Sequence, residues 1–284
     1  QYNQASFYTY DALGNVDTLL QDYGASDVTP TQNVMNVNNH RFKRIVYQFD
    51  LVSGKVNTVA YQPGQADQFY HRYTYDAENR IILAETSNDS IHWEKDARYQ
   101  YYKHGPLARS VLGEQLVQGL DYAYTLQGWL KGVNSSSLEI GYDMGRDGDT
   151  TWINRYVARD AFGFNLGYYT GDYTPINNAV TPFPGYSAYL GAAYKPLFNG
   201  NISSMAVNIG QFNNPMLYAY TYDQLNRLTG MNAHTGFNQS TNSWSGLTAT
   251  NDYKERVEYD PNGNITKYQR NGVSSVSLAM DNLT

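Results

Sequence analysis

Pairs of aromatic residues two positions apart recur along the chain, and each pair is followed by a short polar stretch and another hydrophobic residue. The first copy covers residues 8–16 and reads YTYDALGNV. The same frame returns at residues 73–81, 220–228 and 257–265, with a version one residue longer at 47–56. Degenerate copies at residues 99–105 and 122–128 keep the aromatic pair and lose the aspartate. Recurrence in one frame indicates an internal repeat.

Each copy is predicted to form a β-hairpin. Residues two apart lie on one face of a strand, and an aspartate after the strand closes a turn with its side chain. A Gly or Asn three positions later adopts the positive φ that short hairpin loops require. The residues assigned to this structural repeat are Tyr8, Tyr10, Asp11, Gly14, Tyr73, Tyr75, Asp76, Asn79, Tyr220, Tyr222, Asp223, Asn226, Tyr259, Asp260 and Gly263.

These hairpins are predicted to stack side by side, because a single hairpin cannot bury its own apolar face. The second aromatic residue of each complete copy is expected to occupy an equivalent place on the sheet and to be largely buried. These residues are Tyr10, Tyr75, Tyr222 and Tyr259. Since the repeat strip is expected to continue beyond both ends of the chain, the isolated piece is not expected to fold alone.

Residues 133–215 contain few copies of the frame. This stretch is interpreted as an irregular insertion seated on the sheet, within one repeat segment that spans residues 1–284. Inside the insertion, residues 164–169 are predicted to form a strand and residues 198–205 a turn that leads into another. The polar segments 27–39 and 232–251 are predicted to be irregular connections.

The composition favours an all-β protein. The 284 residues include 28 Tyr, 10 Phe, 4 Trp and 24 Gly, with 16% charged residues and a mean hydropathy of −0.58. Tyrosine suits half-buried pleated surfaces, where the ring packs and the hydroxyl reaches a polar partner. Disordered chains are poor in aromatic residues, and helical bundles contain more Ala, Leu, Glu and Lys.

Charge and cysteine content exclude several classes of function. A net charge of −6 and a pI near 5.3 argue against a nucleic-acid binder, which needs a basic patch. The apolar runs are too short for a transmembrane segment. Without cysteine, the chain has neither disulfides nor thiolate metal sites.

The frame Y-x-Y-D-x-x-G/N-N/R-hydrophobic resembles the YD repeat of the Rhs family, which includes the shells of teneurins and of insecticidal toxin complexes. The resemblance reaches from residue 8 to about residue 267. Segments 40–44, 61–65, 102–107 and 126–132 are also similar to large Rhs-type cell-surface proteins from gliding and gut bacteria. The resemblance implies a strip of β-hairpins that spirals into a hollow, cocoon-like shell.

The resemblance also implies a structural, non-enzymatic function. Such a shell is secreted or lies on the bacterial cell surface, where it encloses, carries or presents another part of its own polypeptide, or acts in adhesion. The implied partners are the remainder of that polypeptide, an enclosed C-terminal domain and the secretion machinery. Family members that release a cargo carry an aspartyl self-cleavage segment. The sequence contains no recognisable segment of this kind, and residues 260–263 lie inside an ordinary repeat turn.

No catalytic, cofactor-binding or metal-binding residue is assigned. The histidines form no H-x-x-x-H pair and lie in unrelated contexts; they are His40, His71, His92, His104 and His234. The chain also lacks a G-x-S-x-G elbow. Turn capping explains the repeated aspartates better than glycosidase chemistry, because all recur at one turn position. A glycan hydrolase remains an alternative if residues 133–215 bring an acid–base pair together.

Two other groups of residues offer binding chemistry. Asp143, Asp147 and Asp149 supply oxygen ligands in a tight loop, but their spacing is not that of an EF-hand. A hydrogen-bonded loop is therefore preferred to a calcium site. The tryptophans Trp93, Trp129, Trp152 and Trp244 offer stacking faces, although core packing is preferred, above all for Trp129. A carbohydrate-binding cell-surface module, with glycans as partners, is the second interpretation.

Overall fold

The computed structural model describes residues 4–23, 41–212, 214–273 and 277–281. The strands are β1 (Ala5–Tyr10), β2 (Val16–Asp22), β3 (Phe42–Phe49), β4 (Val56–Tyr61), β5 (Phe69–Tyr75), β6 (Ile81–Ser87), β7 (Glu94–Tyr101), β8 (Leu107–Leu112), β9 (Gln118–Tyr124), β10 (Leu130–Val133), β11 (Phe162–Gly167), β12 (Ser204–Ile209), β13 (Met216–Tyr222), β14 (Leu228–Thr235), β15 (Thr248–Tyr259), β16 (Ile265–Asn271) and β17 (Ser277–Asp281). The described helical elements are α1 (Ser187–Leu190) and the 3-10 turns Gly191–Ala193 and Gly210–Phe212. Strands thus cover more than a third of the chain.

The chain divides into two compact units. The first consists of Gln1–Gln100 with Ser110–Gln115, and the second of Tyr101–Arg109 with Leu116–Thr284. In the first unit, the strands from β1 to β7 pair in succession, each antiparallel to the next. In the second unit, the strands from β9 to β17 do the same. The predicted all-β fold of consecutive antiparallel hairpins is confirmed.

The repeat frame coincides with the strand ends. In every copy, the second aromatic residue is the last residue of its strand: Tyr10, Phe49, Tyr75, Tyr101, Tyr124, Tyr222 and Tyr259. The return strands begin six or seven residues further on, at Val16, Val56, Ile81, Leu107, Leu130, Leu228 and Ile265. The degenerate copies therefore use the same turn as the complete ones, even though the aspartate is missing.

The expectation that the second tyrosine of each repeat is largely buried is wrong. Tyr10 is 63% exposed, and Tyr75, Tyr222 and Tyr259 are only half-buried. These rings lie at the end of a hairpin, where a neighbouring hairpin covers only part of the side chain. No described strand precedes β1, so Tyr10 has no such neighbour among the described residues.

Two predicted loops differ in outcome. The segment predicted at residues 232–251 is shorter than expected, because β14 continues to Thr235 and β15 already begins at Thr248. Ala233 pairs with Thr250, so main-chain pairing with the next strand extends into this polar sequence. The predicted connection at residues 27–39 lies outside the described residues.

The second unit contains a hydrophobic core under its irregular segments. Residues 134–161 and 168–203 contain no described strand. Strand β11 begins and ends two residues before the predicted strand at residues 164–169, and β12 begins at Ser204, inside the segment 198–205 that the sequence predicts to lead into a strand. The core cluster brings together Tyr186, Leu190, Ala206, Leu217, Ala219 and Trp244. It therefore joins α1 to β12, to β13 and to the loop before β15. Among the described residues, no helix has both the length and the apolar character needed to cross a membrane.

Candidate functional site: repeat turns and a buried charge cluster

Each complete repeat turn is closed by its aspartate. Asp76 accepts main-chain hydrogen bonds from Glu78 at 3.0 Å and from Arg80 at 2.9 Å. Its other oxygen accepts a bond from the Arg80 side chain at 2.7 Å. In the other complete copies, Asp11, Asp223 and Asp260 likewise accept bonds from the main chain and the side chain of the residue four positions further along. This geometry explains why Asn or Arg occupies that position in the repeat.

The residue immediately before this donor has a left-handed backbone conformation. The φ values are +86° at Gly14, +61° at Asn79, +62° at Asn226 and +92° at Gly263. Glycine and asparagine adopt this conformation at the lowest cost. The strand register shifts at the aromatic residue that precedes each turn, as in a hairpin closed by a bulge.

The hydroxyl of the second repeat tyrosine donates a hydrogen bond to a main-chain carbonyl at the start of a preceding strand or just before it. Tyr75 donates to the carbonyl of Val56 at 2.7 Å, and Tyr259 donates to that of Leu228 at 2.8 Å. Tyr222 makes the equivalent bond to the Ile202 carbonyl at 2.8 Å. Val56 and Leu228 are the first residues of the return strands in the preceding hairpins. The hydroxyls therefore tie successive hairpins together, which phenylalanine cannot do.

Replacing Tyr75 with phenylalanine is expected to lower the free energy of unfolding by about 0.5–1.5 kcal/mol, because the ring stays and one hydrogen bond is lost. Tyr10→Phe is the matched control, since its ring is exposed and no described residue accepts a bond from its hydroxyl. Urea unfolding of the full-length protein measures both. Equal losses for the two variants would contradict a role for the hydroxyl bond.

A second structural feature is a cluster of buried charges in the second unit, here called the Arg109 cluster. It consists of Arg109, Asp121, Asp143, Asp147 and Asp160, none of them more than 9% exposed. One guanidinium nitrogen of Arg109 donates to Asp121 and another donates to Asp147. The cluster therefore ties residues 134–161 to β8 and β9.

The remaining carboxyls complete this network. Asp143 accepts main-chain bonds from Gly145 at 3.0 Å and from Asp147 at 2.6 Å. Gln118 donates to one oxygen of Asp160 at 3.1 Å. The second oxygen of Asp160 is buried and has no donor among the described residues. Burial and the neighbouring Asp143 carboxylate both raise the pKa of Asp160.

Burial controls the ionisation of this cluster. Desolvation raises the pKa of Asp147 to about 6, with the Arg109 charge opposing the shift. Desolvation and the neighbouring carboxylates raise the pKa of Asp160 well above its usual range, and burial also raises the pKa of Asp121. Four carboxyls facing one guanidinium leave an excess of negative charge, which low-dielectric surroundings disfavour.

Two glycines make room for the Arg109 cluster. A Cβ atom on Gly119 would collide with Asp147 and Arg109, and one on Gly145 would collide with Arg109 and Asp121. Sequence reasoning missed the cluster, since Arg109 and Asp121 belong to no motif. It singled out Asp143 and Asp147, but only as a calcium alternative. No local signal connects residues 38 positions apart along the chain.

The protein is expected to be less stable at pH 8 than at pH 5. A carboxyl whose pKa is raised by folding stabilises the fold below its ordinary pKa, and this stability is lost as the pH rises through the folded value. For Asp147 alone the loss between pH 5 and pH 8 is about 1–2 kcal/mol. Urea unfolding at both pH values measures it.

Asp160→Asn is the matched variant for this pH dependence. It keeps the shape, removes a buried carboxyl whose pKa the fold raises, and supplies a donor toward Asp143. The variant is expected to be more stable than the natural protein at pH 8 and to show a smaller difference between the two pH values. Stability that rises from pH 5 to pH 8 in the natural protein would contradict this account of the cluster.

The residues considered for calcium do not converge. Asp143 and Asp147 belong to the Arg109 cluster, whereas Asp149 accepts bonds from the main chain and hydroxyl of Thr151 at 2.9 and 2.7 Å. Over the described ranges, no group of three or more His, Asp or Glu side chains is placed to hold a metal ion. The repeat aspartates are each engaged within their own turns.

The four tryptophans have different surroundings. Trp244 lies in the core, and Trp129 packs against Tyr168 with 5.0 Å between the rings. A guanidinium covers one face of each of the other two, 4.1 Å from the ring centre at Trp93 and 4.8 Å at Trp152. The sequence favours core packing above all for Trp129, but Trp129 is only partly buried and Trp244 is the tryptophan that lies in the core.

Comparison with solved structures identifies the fold. The chain is similar to a crystal structure of TcdB2-TccC3-Cdc42, with a TM-score of 0.57 and 16% identity over 95% of this chain. It is also similar to TcdB2-TccC3 (0.56, 15%, 94% covered) and to a Photorhabdus luminescens Tc holotoxin pore with a mutated TccC3 (0.55, 16%, 93% covered). The chain spans 11% of each of these chains.

These structural neighbours are Rhs-repeat shells of toxin complexes, so the chain has an Rhs-like repeat fold. At such low identity, the similarity concerns the fold alone. No family model matches the chain, and no curated protein matches it either.

Proposed function

We propose that the chain is a wall segment of a secreted or cell-surface Rhs-type shell that encloses another part of its own polypeptide. The observation that carries this proposal is the repeated hairpin itself. Each unit consists of strands that pair one after another, and a tyrosine hydroxyl links successive hairpins at Tyr75, Tyr222 and Tyr259. This construction extends by adding hairpins, which suits a wall better than a closed catalytic domain.

The similarity to shell proteins of toxin complexes supports a structural role. The Arg109 cluster, which brings four carboxyls together from the described part of residues 133–215 and the adjoining strands, is buried, so it offers a substrate no access. The partners we propose are the rest of the polypeptide, including an enclosed C-terminal domain, and the machinery that exports the protein. Toxin delivery and adhesion are two uses of such a shell.

Limited proteolysis of the full-length protein tests enclosure. The segment that follows the repeats is expected to resist protease in the intact protein and to be digested when it is expressed alone. A destabilising wall variant, Arg109→Met, is expected to expose this segment, whereas the surface variant Arg155→Met leaves it protected. Equal digestion of the segment inside and outside the intact protein would overturn the proposal.

A further inference from the structure

The second unit contains a cavity of about 490 Å³ with tyrosine walls. The lining side chains include Tyr102, His104, Tyr124, Tyr169, Asp172 and Tyr173. Ligand sites commonly have volumes of about 300–1,000 Å³ and combine aromatic walls with a few convergent polar groups. Neither the repeat frame nor the shell function requires such a cavity.

The aromatic walls are held in place by contacts of their own. Tyr102 donates to the Tyr122 carbonyl at 2.7 Å, and its ring stacks on His104 with 5.3 Å between centres. On the other side, Tyr169 stacks on Phe198 at 4.7 Å. These ring faces are therefore formed before any ligand arrives, which lowers the ordering cost of binding.

The carboxylate that lines the cavity carries no unbalanced charge. Asp172, which is 8% exposed, accepts bonds from the Lys131 ammonium at 2.8 and 3.0 Å and from the Tyr168 main chain at 2.9 Å. A carboxylate has about four acceptor sites, so one remains. Because Lys131 neutralises Asp172, the cavity favours neither a free cation nor an anion.

We propose that this cavity binds a neutral sugar ring. A pyranose presents an apolar C–H face that stacks on tyrosine, and hydroxyls around its edge that donate to the free acceptor site of Asp172. The hydroxyls of Tyr124 and Tyr173 add groups that both donate and accept. A proline-rich peptide uses the ring faces equally well, but it lacks the hydroxyl donors that the polar side of the cavity suits.

Binding of the full-length protein to an array of neutral oligosaccharides tests this proposal, with sialylated oligosaccharides and a polyproline peptide on the same array. At least one neutral oligosaccharide is expected to bind. Tyr124→Ala is expected to weaken that binding at least about tenfold by removing a wall, and Tyr124→Phe about two- to tenfold by removing one hydroxyl. Tyr156→Ala is the control, because Tyr156 is 71% exposed and does not line the cavity.

Circular dichroism establishes that each variant is folded, and His104→Ala, at an exposed position, replaces Tyr124→Ala if the latter unfolds. The proposal is overturned if no neutral oligosaccharide binds, or if binding is unchanged in Tyr124→Phe and in the folded alanine variant (Tyr124→Ala or His104→Ala). It is also overturned if the polyproline peptide alone binds and Tyr124→Phe binds it as well as the natural protein does.

Discussion

Replacing Arg109 with methionine is expected to lower the free energy of unfolding by about 3–5 kcal/mol at pH 7. Arg109 is the one cation within the cluster, and it bonds to both Asp121 and Asp147. Without it, these carboxyls are left buried and uncompensated, so they must take up protons or return to water. The loss is therefore expected to shrink as the pH falls toward 5, where the carboxyls protonate more readily.

Arg155→Met is the matched control for this experiment. Arg155 belongs to the same irregular segment, but it is exposed, and its guanidinium stacks on the exposed Tyr156. We expect a change of less than about 0.5 kcal/mol. Urea unfolding of the full-length protein at pH 5 and pH 7 measures both variants. An Arg109→Met loss as small as that of the control would show that the cluster does not hold the segment.

Replacing Trp244 with alanine is expected to cost about 3–5 kcal/mol, the usual range for deleting a large buried aromatic side chain. Trp244 is 1% exposed and packs in the core cluster beside Leu217, with Phe237 4.8 Å from its ring centre. Its indole N–H has no acceptor among the residues that the structure describes. Trp244→Phe, which removes that N–H and keeps a ring, is therefore expected to cost less than Trp244→Ala.

Trp152→Ala serves as the control for the core substitution. Trp152 is 45% exposed, and the Arg146 guanidinium lies over its ring. A cation–π contact at an exposed site contributes about 0.5–1 kcal/mol, so the loss is expected to stay in that range. Thermal unfolding measures the three tryptophan variants. Similar losses for Trp244→Ala and Trp152→Ala would contradict the assignment of the core.

The hairpins could be predicted from the sequence because all of their determinants are local. The strand end, the capping aspartate and the left-handed residue lie within six positions, as at Tyr75, Asp76 and Asn79. The same local frame located the turns of the degenerate copies. It also predicted the aromatic position, although it gave the wrong burial, because burial depends on the neighbouring hairpin.

The candidate sites could not be predicted because their residues are distant along the chain. Lys131 and Asp172 are 41 positions apart, and Tyr75 reaches a carbonyl 19 positions back. A sequence shows which tyrosine hydroxyls exist, but only the register of successive hairpins determines which carbonyl each one meets. The cavity likewise forms only when the segment that carries Tyr173 folds back toward β9.

Electron cryomicroscopy of the full-length protein tests the shell proposal most directly. We expect a hollow particle in whose wall the hairpins of this chain stand side by side with those of neighbouring repeats, with density for another part of the polypeptide inside. A particle in which these hairpins form a separate domain, with solvent on both faces of the sheet and nothing enclosed, would contradict the proposal.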